Sequence, residues 1–473
     1  MHILIPVFFN APLGGLHFNV MSTALHCKSN GNDVTVLCRP GVFTDTLKEK
    51  GINVINTDFT PTEFSNTIKT LLELNKSNKI DIIHSHPFES RKVAVLLSKI
   101  LKSPLFVTIH GRHTDYIETY IDKVAMVFTV SEGIKDFLKV HLAKNRLNKY
   151  NHKLFVVPNG VDTHLFQPIE PPALNRKINI SLVTRLDKDK EFIIEVFYKA
   201  LKFTTEKYPN DVIWTIVGDG TLIDEMKQKV EEIVGTNNHF VNFVGWKEDI
   251  DLLMSYSNSD IVIAPGRCAL EAMSCGKPTI AIGSKGYIGL IDKNNWLKGV
   301  YANFGGIGNK IEDYVEGSIE KDIERLVEND MLRDELGELG HNLISQFYEE
   351  KEANNNLLRF YSMFKRENTE LNEIDHIEID KLISNYLLET NIRQSIIKQN
   401  TLNEYKIEVI CHEYNGLSFA WYVFKEKQLV KKIPYSKSNC LNYTFQEKGS
   451  YQIRCYVKKD DTMIVFPVKK INV

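Results

Sequence analysis

Short apolar runs alternate with longer amphipathic segments from the first residue to about residue 365. In the first part, runs rich in Ile, Val, Leu and Phe lie at 3–8, 34–38, 80–84, 105–109, 125–130 and 154–157. Segments 16–29, 88–101 and 131–143 carry apolar residues at three- and four-residue spacing, which predicts helices. This alternation is typical of parallel βαβ units, so we predict a parallel sheet with helices packed on it.

The pattern restarts after Pro168, Pro171 and Pro172, with apolar runs at 178–184, 212–217, 240–244, 261–264 and 279–282. Proline-rich joints of this kind separate domains, which places a linker at about 165–176. The predicted fold class is therefore α/β, with two Rossmann-like domains, 1–168 and 169–366, that face each other across a cleft. That cleft is the expected ligand site. A final helix at 348–365 is expected to pack back toward the first domain.

Residues beyond 366 change character. A polar, acidic segment and a helix near 379–397 predict a helical linker at 367–400, and residues 401–473 alternate in the manner of β-strands. Turn signals at Asn415-Gly416 and at residues 459–461 support a small all-β sandwich domain. Aromatic residues at alternating positions, such as Trp421 and Tyr422, predict core packing, with a carbohydrate-binding surface as the alternative.

Charge and cysteine content limit the function classes. The 58 basic and 60 acidic residues nearly cancel, so nothing draws the whole protein to nucleic acid. No run approaches the ~20 apolar residues of a membrane-spanning helix. The seven cysteines show neither CxxC spacing nor a dense disulfide pattern, which favours a reducing compartment. We expect a cytoplasmic protein, and peripheral contact with an inner membrane face or with a partner protein stays open.

Gly14 and Gly15 stand between the first predicted strand and the first predicted helix. A glycine pair there lets backbone amides approach a diphosphate at the helix N-terminus. A tight turn without a ligand is the alternative.

Seven short motifs follow one another along the chain. They are 81–86 (DIIHSH), 108–111 (TIHG), 157–162 (VPNGVD), 184–190 (TRLDKDK), 216–220 (IVGDG), 243–245 (FVG) and 270–278 (LEAMSCGKP). In this order and at these intervals they resemble family 4 of the retaining glycosyltransferases, whose two Rossmann-like domains form the GT-B fold. The resemblance covers residues 1 to about 365. It implies transfer of a sugar from a nucleotide diphosphate sugar, with uridine the commonest base, to a glycan, a lipid-linked acceptor or another acceptor. It implies no metal and no other cofactor.

The resemblance assigns the main donor contacts. Arg185 and Lys190 would be catalytic, because cations there stabilise the charge that grows on the β-phosphate as the glycosidic bond breaks. Solvated cations at a strand end are the alternative. Glu271 would accept both ribose hydroxyls, a task that suits a carboxylate. A glutamate that only complements the helix dipole is the alternative.

One position departs from the family. An earlier glutamate, eight residues before Glu271, usually holds the donor sugar, and Ile263 stands there in this chain. The intervening loop is shortened to Pro265, Gly266 and Arg267. The backbone amides of Gly266 and Arg267 can still meet a phosphate, but the departure affects which sugar is accepted.

Further residues receive roles by the same resemblance. His110 ends the run at 105–109 and would border the donor sugar near its reacting carbon, with an internally bonded histidine as the alternative. The loops at Gly218, Asp219 and Gly245 would line the base and phosphates, with plain βα turns as the alternative.

Four residues of the first domain are candidate acceptor contacts, because that domain holds acceptors in the family. They are His84, His86, Glu89 and Arg91. Two histidines are too few for a zinc site. Asp187 and Asp189 read as a loop charge pair between Arg185 and Lys190, so no metal is predicted.

Two other functions stay open at this stage. A nucleotide-sugar 2-epimerase on the same architecture also uses a short loop before a ribose-binding glutamate. A non-catalytic partner subunit would account for the missing first glutamate and the additional sandwich.

Overall fold

Strands and helices alternate in the first part of the chain. The computed structural model describes residues 1–8, 14–169, 177–235, 240–284, 286–305, 314–365, 376–401, 403–468 and 470–473. The first elements are β1 (His2–Pro6), α1 (Gly15–Ser29), β2 (Asp33–Cys38), α2 (Val42–Glu49), β3 (Asn53–Asn56), α3 (Pro61–Ser77), β4 (Ile82–Ser85), α4 (Glu89–Leu101), β5 (Leu105–Ile109), β6 (Met126–Thr129), α5 (Glu132–Lys144) and β7 (Leu154–Val156). The strands form one parallel sheet in the order β3-β2-β1-β4-β5-β6-β7.

The second part repeats the arrangement. Its elements are β8 (Ile178–Val183), α6 (Glu191–Lys207), β9 (Val212–Val217), α7 (Ile223–Val234), β10 (Val241–Gly245), α8 (Asp249–Ser257), β11 (Ile261–Ala264), α9 (Gly266–Ser274), β12 (Thr279–Gly283), β13 (Gly286–Leu290), α10 (Trp296–Tyr301), α11 (Ser318–Val327), α12 (Asp330–Phe347) and α13 (Glu350–Phe364). The strand order is β10-β9-β8-β11-β12-β13, and β13 is antiparallel to β12 at one edge. These are the two Rossmann-like domains that the sequence predicts.

Both sheets are buried, as parallel sheets covered by helices must be. Every residue of β1, β5, β11 and β12 is buried. In each sheet the order reverses once, between β1 and β4 and between β8 and β11. Ligands of such folds bind beyond the carboxyl ends of the strands at that reversal.

The chain crosses between these domains twice, and the two crossings are bonded to each other. The Val161 amide donates to the Tyr348 carbonyl at 2.8 Å, and the Glu350 amide donates to the Val161 carbonyl at 2.9 Å. Helix α13 then packs on the first domain, where Leu357 and Tyr361 join its apolar core. The crossings therefore form one hydrogen-bonded joint beside the cleft.

A second compact unit comprises residues 60–72 and 368–473. Its elements, after the start of α3, are α14 (His376–Asn391), β14 (Ile392–Gln399), β15 (Glu404–Cys411), β16 (Leu417–Lys425), β17 (Gln428–Ser436), β18 (Cys440–Thr444), β19 (Ser450–Lys459), β20 (Thr462–Pro467) and β21 (Ile471–Asn472). The strands form two antiparallel sheets, β14-β15-β18 and β17-β16-β19-β20, with β21 paired to β19. Residues of both sheets, including Val409 and Trp421, share one buried core, which makes this unit a sandwich.

The predicted helical linker at 367–400 needs correction. Helix α14 ends at Asn391, and β14 follows at once, paired antiparallel with β15. The isoleucines of this segment are compatible with a helix or with a strand. Residues 392–399 form a strand because the backbone of β15 offers them hydrogen bonds. Residues 367–375 of the predicted linker and residues 170–176 of the predicted interdomain linker lie outside the described residues.

Residues 60–72 also depart from the predicted domain limits, because they group with the sandwich rather than with the first domain. Within that unit, Phe64 of α3 stacks on Tyr386 of α14, with ring centroids 5.9 Å apart. In the part of the chain that the structure describes, no helix combines the length and apolar character needed to cross a bilayer.

Candidate active site

A cavity of about 540 Å³ lies between the two Rossmann-like domains, at the carboxyl ends of their strands. That volume is within the range of small-molecule sites. Eight residues singled out from the sequence line it: Gly14, Gly15, Arg185, Lys190, Gly218, Gly266, Arg267 and Glu271. The structure therefore brings together residues from four separate loops.

The two cations that follow β8 enter this cavity together. Arg185 pairs with Asp187 at 2.8 Å and with Asp189 at 3.3 Å. Lys190 pairs with Asp189 at 2.9 Å and donates to the Ser284 hydroxyl at 2.9 Å. Both side chains are partly exposed, so their carboxylate partners can be exchanged for an anionic ligand.

Two helix N-termini face each other across the cavity. Gly15 begins α1 and Gly266 begins α9. A Cβ atom added to Gly15 would lie 3.9 Å from Cβ of Arg267, so the two helix starts are close. Unpaired amides and the helix dipole make each start a favourable place for negative charge.

Gly218 shows why this wall needs glycine. Its φ of 144° is outside the range of most side chains, and a Cβ atom there would overlap the Thr184 carbonyl. The backbone at the ends of β8 and β9 is therefore packed too closely for any larger residue.

Glu271 lies on the cavity wall and both of its oxygens accept hydrogen bonds. Nε of Arg267 donates to Oε1 at 2.7 Å, and the Tyr256 hydroxyl donates to Oε2 at 3.1 Å. Burial raises the pKa of the Glu271 carboxyl, and the adjacent Arg267 guanidinium opposes part of that rise. A carboxylate offers about four acceptor positions, so acceptor capacity remains for further hydroxyls.

His110 does not line the cavity among the residues that the structure describes. Its Nε2 atom lies 2.8 Å from Nδ1 of His86, and within the described chain its Nδ1 atom has no hydrogen-bond partner. Burial, and then the neighbouring His113, lower the pKa of His110 to about 3. The ring is therefore neutral near pH 7, and its Nδ1 atom is buried without a partner in the described chain.

The acceptor candidates of the first domain require correction. Both ring nitrogens of His84 are engaged, with the Tyr361 hydroxyl and with the Thr108 hydroxyl. Arg91 is buried against Asp115 at 2.9 Å. These side chains form contacts within the first domain and are not among the described residues that line the cavity. The sequence does not predict this, because it does not show that their partners lie on adjacent elements.

Other predicted residues also lie away from the cavity wall. His86 is buried and bonds to His110, while Glu89 is half-buried and pairs with Lys92 at 2.7 Å. Asp219 is exposed and its carboxylate accepts from the next amide, that of Gly220, at 2.7 Å. Gly245 is likewise not among the described residues that line the cavity, although the four residues after it are.

The cavity contains residues that the sequence did not single out. Arg112, two residues after His110, enters from the first domain and its guanidinium lies 5.3 Å from the centre of the Phe137 ring. Trp246 and Ser284 follow β10 and β12, and Thr184 has a buried hydroxyl with no partner in the described chain. Thr184, Trp246 and Ser284 share one signal, a polar or aromatic residue directly after a strand, whereas Arg112 lies three residues beyond the end of β5.

Metal-ligand groups are not clustered in the described parts of the chain. No three His, Cys, Asp or Glu side chains come together there in a way that could hold an ion. Asp187 accepts from Arg185 and from the Thr221 amide, at 2.8 and 3.1 Å. The Asp187 and Asp189 carboxylates thus act as partners of neighbouring cations.

Two family models match the chain on either side of the interdomain joint. "Glycosyltransferase Family 4" matches residues 13–165, and "Glycosyl transferases group 1" matches residues 169–342. The chain belongs to the family 4 glycosyltransferases. It is a GT-B enzyme that transfers a sugar from a nucleotide-sugar donor.

Known proteins resemble this glycosyltransferase over its two α/β domains. The UDP-Gal:alpha-D-GlcNAc-diphosphoundecaprenol alpha-1,3-galactosyltransferase of Escherichia coli is 24% identical over 52% of this chain and 70% of its own. A glycosyltransferase from Rickettsia africae has a TM-score of 0.60 at 18% identity, covering 78% of this chain and 99% of that one. Anabaena HepE, solved in complex with UDP, has a TM-score of 0.58 at 18% identity, covering 77% and 100%.

Proposed function

We propose that this glycosyltransferase uses a UDP-sugar, retains the anomeric configuration and needs no metal ion. One observation carries the proposal: Arg185 and Lys190 line the same cavity as the N-termini of α1 and α9 and the Glu271 carboxylate. This set of groups suits a diphosphate attached to a ribose.

The diphosphate would displace the aspartates that now pair with the two cations. Lys190 is held by Ser284 as well as by Asp189, so its ammonium keeps its position when the aspartate leaves. As the bond from C1 to the β-phosphate oxygen breaks, charge grows on that phosphate. Fixed cations and helix amides then stabilise the transition state more than the ground state.

The ribose would be bound by the free acceptor positions of Glu271. Arg267 and Tyr256 fix the orientation of this carboxylate, which lowers the entropy cost of binding two hydroxyls. Trp246 lies on the same cavity wall and offers a ring next to the base. A uridine base is supported by the name of the Escherichia coli relative and by the Anabaena complex.

Retention would follow from attack on the same face as the departing diphosphate. Five carboxylates of the described chain line the cavity, and those of Glu271, Glu248 and Asp162 each accept a hydrogen bond from the protein. The proposed reaction uses none of the five as a nucleophile. The acceptor oxygen would form the new bond to C1, and its proton would pass to the leaving phosphate oxygen. His110 is neutral and stands two residues before Arg112, which lines the cavity, so it would border a sugar that reaches past Arg112.

The acceptor would enter from the first domain. Arg112 is the cation of that side of the cavity, and it forms no ion pair with any carboxylate that the structure describes. The Escherichia coli relative is named for a lipid-linked acceptor. We accordingly propose a glycan or lipid-linked acceptor.

A panel of nucleotide diphosphate sugars tests the proposal. UDP-sugars should raise the thermal unfolding midpoint of the protein most, since ligands that bind the native state stabilise it. Slow hydrolysis of the bound donor should release the sugar first as the anomer present in the donor, which NMR detects before mutarotation. Release of the opposite anomer would overturn retention.

The same incubation separates the other two functions. An epimerase would convert the UDP-sugar into its C2 isomer without an acceptor, and a partner subunit would bind the donor without releasing UDP. Either result would replace sugar transfer as the proposed function.

A further inference from the structure

The second sheet of the sandwich has an outer face that differs from its core face. Along β16, Trp421 and Val423 point into the core, whereas Tyr422 and Phe424 alternate with them and are partly exposed. On β19, Tyr456 takes the same outward position as Arg454. We call this the tyrosine face, and it is distinct from the transferase cavity.

The tyrosines of this face form a cluster. The ring centroids of Tyr422 and Tyr456 are 4.3 Å apart, with an angle of 40° between the rings. Ala420, which pairs directly with Tyr456 across the strands, is 2% exposed although it points outward. Larger side chains therefore lie over its methyl group. Tyr435 on the neighbouring strand is 44% exposed, which leaves aromatic surface open to solvent.

Cations border the cluster on both sides. Lys432 lies directly opposite Tyr422, with its ammonium 5.1 Å from the ring centre. Arg454 lies opposite Tyr422 on the other side, and its guanidinium is 4.8 Å from the centre of the Phe424 ring. The pKa of Lys432 is raised, first by its hydrogen bond to Tyr422. Within the described chain these two cations contact aromatic rings and pair with no carboxylate.

The charge of this sheet is one-sided. Strands β16, β17, β19 and β20 contain no Asp or Glu, and Lys432, Arg454 and Lys458 lie on the tyrosine face, whereas Lys425 is in the core register and pairs with Glu447. By contrast, β15 of the first sheet carries Glu404 and Glu408. The acidic residues nearest in sequence, Glu426, Asp460 and Asp461, are in the turns beyond the strand ends. An anionic ligand laid across the strands would meet positive charge without opposing carboxylates.

We propose that the tyrosine face binds an acidic polysaccharide. Aromatic rings pack against the C–H faces of sugar rings, while Lys432 and Arg454 pair with the carboxylates that such a chain repeats. The residues lie on strands β17, β16 and β19, which pair side by side, so a linear chain can cross them. Alternate residues of a strand are roughly 7 Å apart, so the face accommodates several sugar units.

Native gel electrophoresis of the full chain, with polygalacturonate in the gel, tests this inference. Migration should be retarded by polygalacturonate, should not be retarded by neutral dextran, and should recover as salt is added. Tyr422→Ala and Arg454→Gln should each weaken binding roughly fivefold to tenfold, as expected for one ring or one charge contact. Tyr422→Phe should retain most of the binding. Lys398→Ala, an exposed lysine on β14 of the other sheet, is the control and should bind like the wild type.

Several results would overturn the inference. One is electrophoretic migration that polygalacturonate does not change. Another is an equal loss of polygalacturonate binding in Lys398→Ala and Arg454→Gln. Binding to phosphatidylglycerol vesicles without binding to polygalacturonate would make the face a membrane surface. Self-association that Tyr422→Ala abolishes, without polysaccharide binding, would make it a dimer contact. If Tyr422→Ala fails to fold, the polygalacturonate binding of Arg454→Gln, compared with that of Tyr422→Phe, tests the inference instead. Donor turnover of all variants should equal that of the wild type, so this test is independent of the proposed function.

Discussion

Nε of Arg267 lies 2.7 Å from Oε1 of Glu271, one turn further along α9. The same guanidinium reaches out of the domain, where Nη1 donates to the Gly160 carbonyl at 3.3 Å and Nη2 lies 4.0 Å from Glu350. The carboxylate proposed to hold the ribose is therefore linked, through one side chain, to both interdomain crossings. The proposed ribose contact and the interdomain joint thus share the Arg267 side chain.

Glu271→Gln should change how stability depends on pH. Burial raises the pKa of Glu271 above its ordinary value of 4.5, so its protonated form stabilises the fold below that value. This contribution is lost as the pH rises through the folded-state pKa. The free energy of unfolding of the wild type, relative to the variant, should therefore fall as the pH is raised from about 4. Denaturant titrations across that range measure it, and a constant difference would contradict the assignment.

Gly160→Ala should loosen the interdomain joint. A Cβ atom at residue 160 would overlap Cα of Glu350, and backbone atoms cannot move aside without separating the crossings. Overpacking of this kind costs roughly 1–3 kcal/mol of stability. The variant should also have a higher KM for the donor. A thermal midpoint and a KM equal to those of the wild type would show that the contact is not required.

The apolar pattern predicts the buried strands well because burial on both faces leaves a continuous run. Strands β5 and β11 fall at the predicted residues. Some strands at sheet edges are missed, since they need not be apolar, although the pattern predicts the edge strands β7 and β10. Asn53–Asn56 is exposed at both ends, Gln428–Ser436 is almost fully exposed, and Gly286–Leu290 contains two glycines. Such strands form because a neighbouring strand offers hydrogen bonds, which a single sequence does not display.

A site residue can be predicted from the sequence where its place after a strand is enough to put it in the cavity. Arg185 and Gly266 directly follow strands that meet at the same edge, so their place in the cavity follows from topology. His84 and Arg91 also lie close to the end of a strand, yet Tyr361 and Asp115 engage them. Those partners are distant in the chain, and only the packing of α13 and of the loop after β5 brings them near.

His86 should act as a positioning residue for His110. Its Nδ1 atom lies 2.8 Å from Nε2 of His110, which fixes the orientation of that ring. His86→Leu should lower kcat by about tenfold, the value of one hydrogen bond, with a smaller change in donor KM. His86→Asn, which can still bond, should restore part of the activity. Equal activity of the leucine and asparagine variants would rule out this role.

Turnover by the wild type should show no histidine inflection between about pH 5 and 8. The pKa of His110 is about 3, because the ring is buried and lies near His113. It therefore does not gain or lose a proton in that range. A profile of donor turnover with an inflection near pH 6.5 that disappears in His110→Gln would contradict this.

Chelation should leave the reaction unchanged. Asp189 pairs with Arg185 and Lys190, so its charge is already balanced by protein cations. We expect EDTA to have no effect on donor turnover and Asp189→Asn to retain activity within a few fold. Activity that EDTA abolishes and manganese restores would show that these carboxylates bind a metal ion.

Lys190 is proposed to stabilise the departing diphosphate, and the matched pair Lys190→Ala and Lys188→Ala separates this role from the loss of a positive charge alone. Both lysines belong to the same short turn and both changes remove one positive charge, but Lys188 is exposed and does not line the cavity. UDP release from a UDP-sugar, measured under saturating donor, should fall by about 10² to 10³-fold in Lys190→Ala. It should be unchanged in Lys188→Ala. Equal rates for the two variants and the wild type would contradict the account.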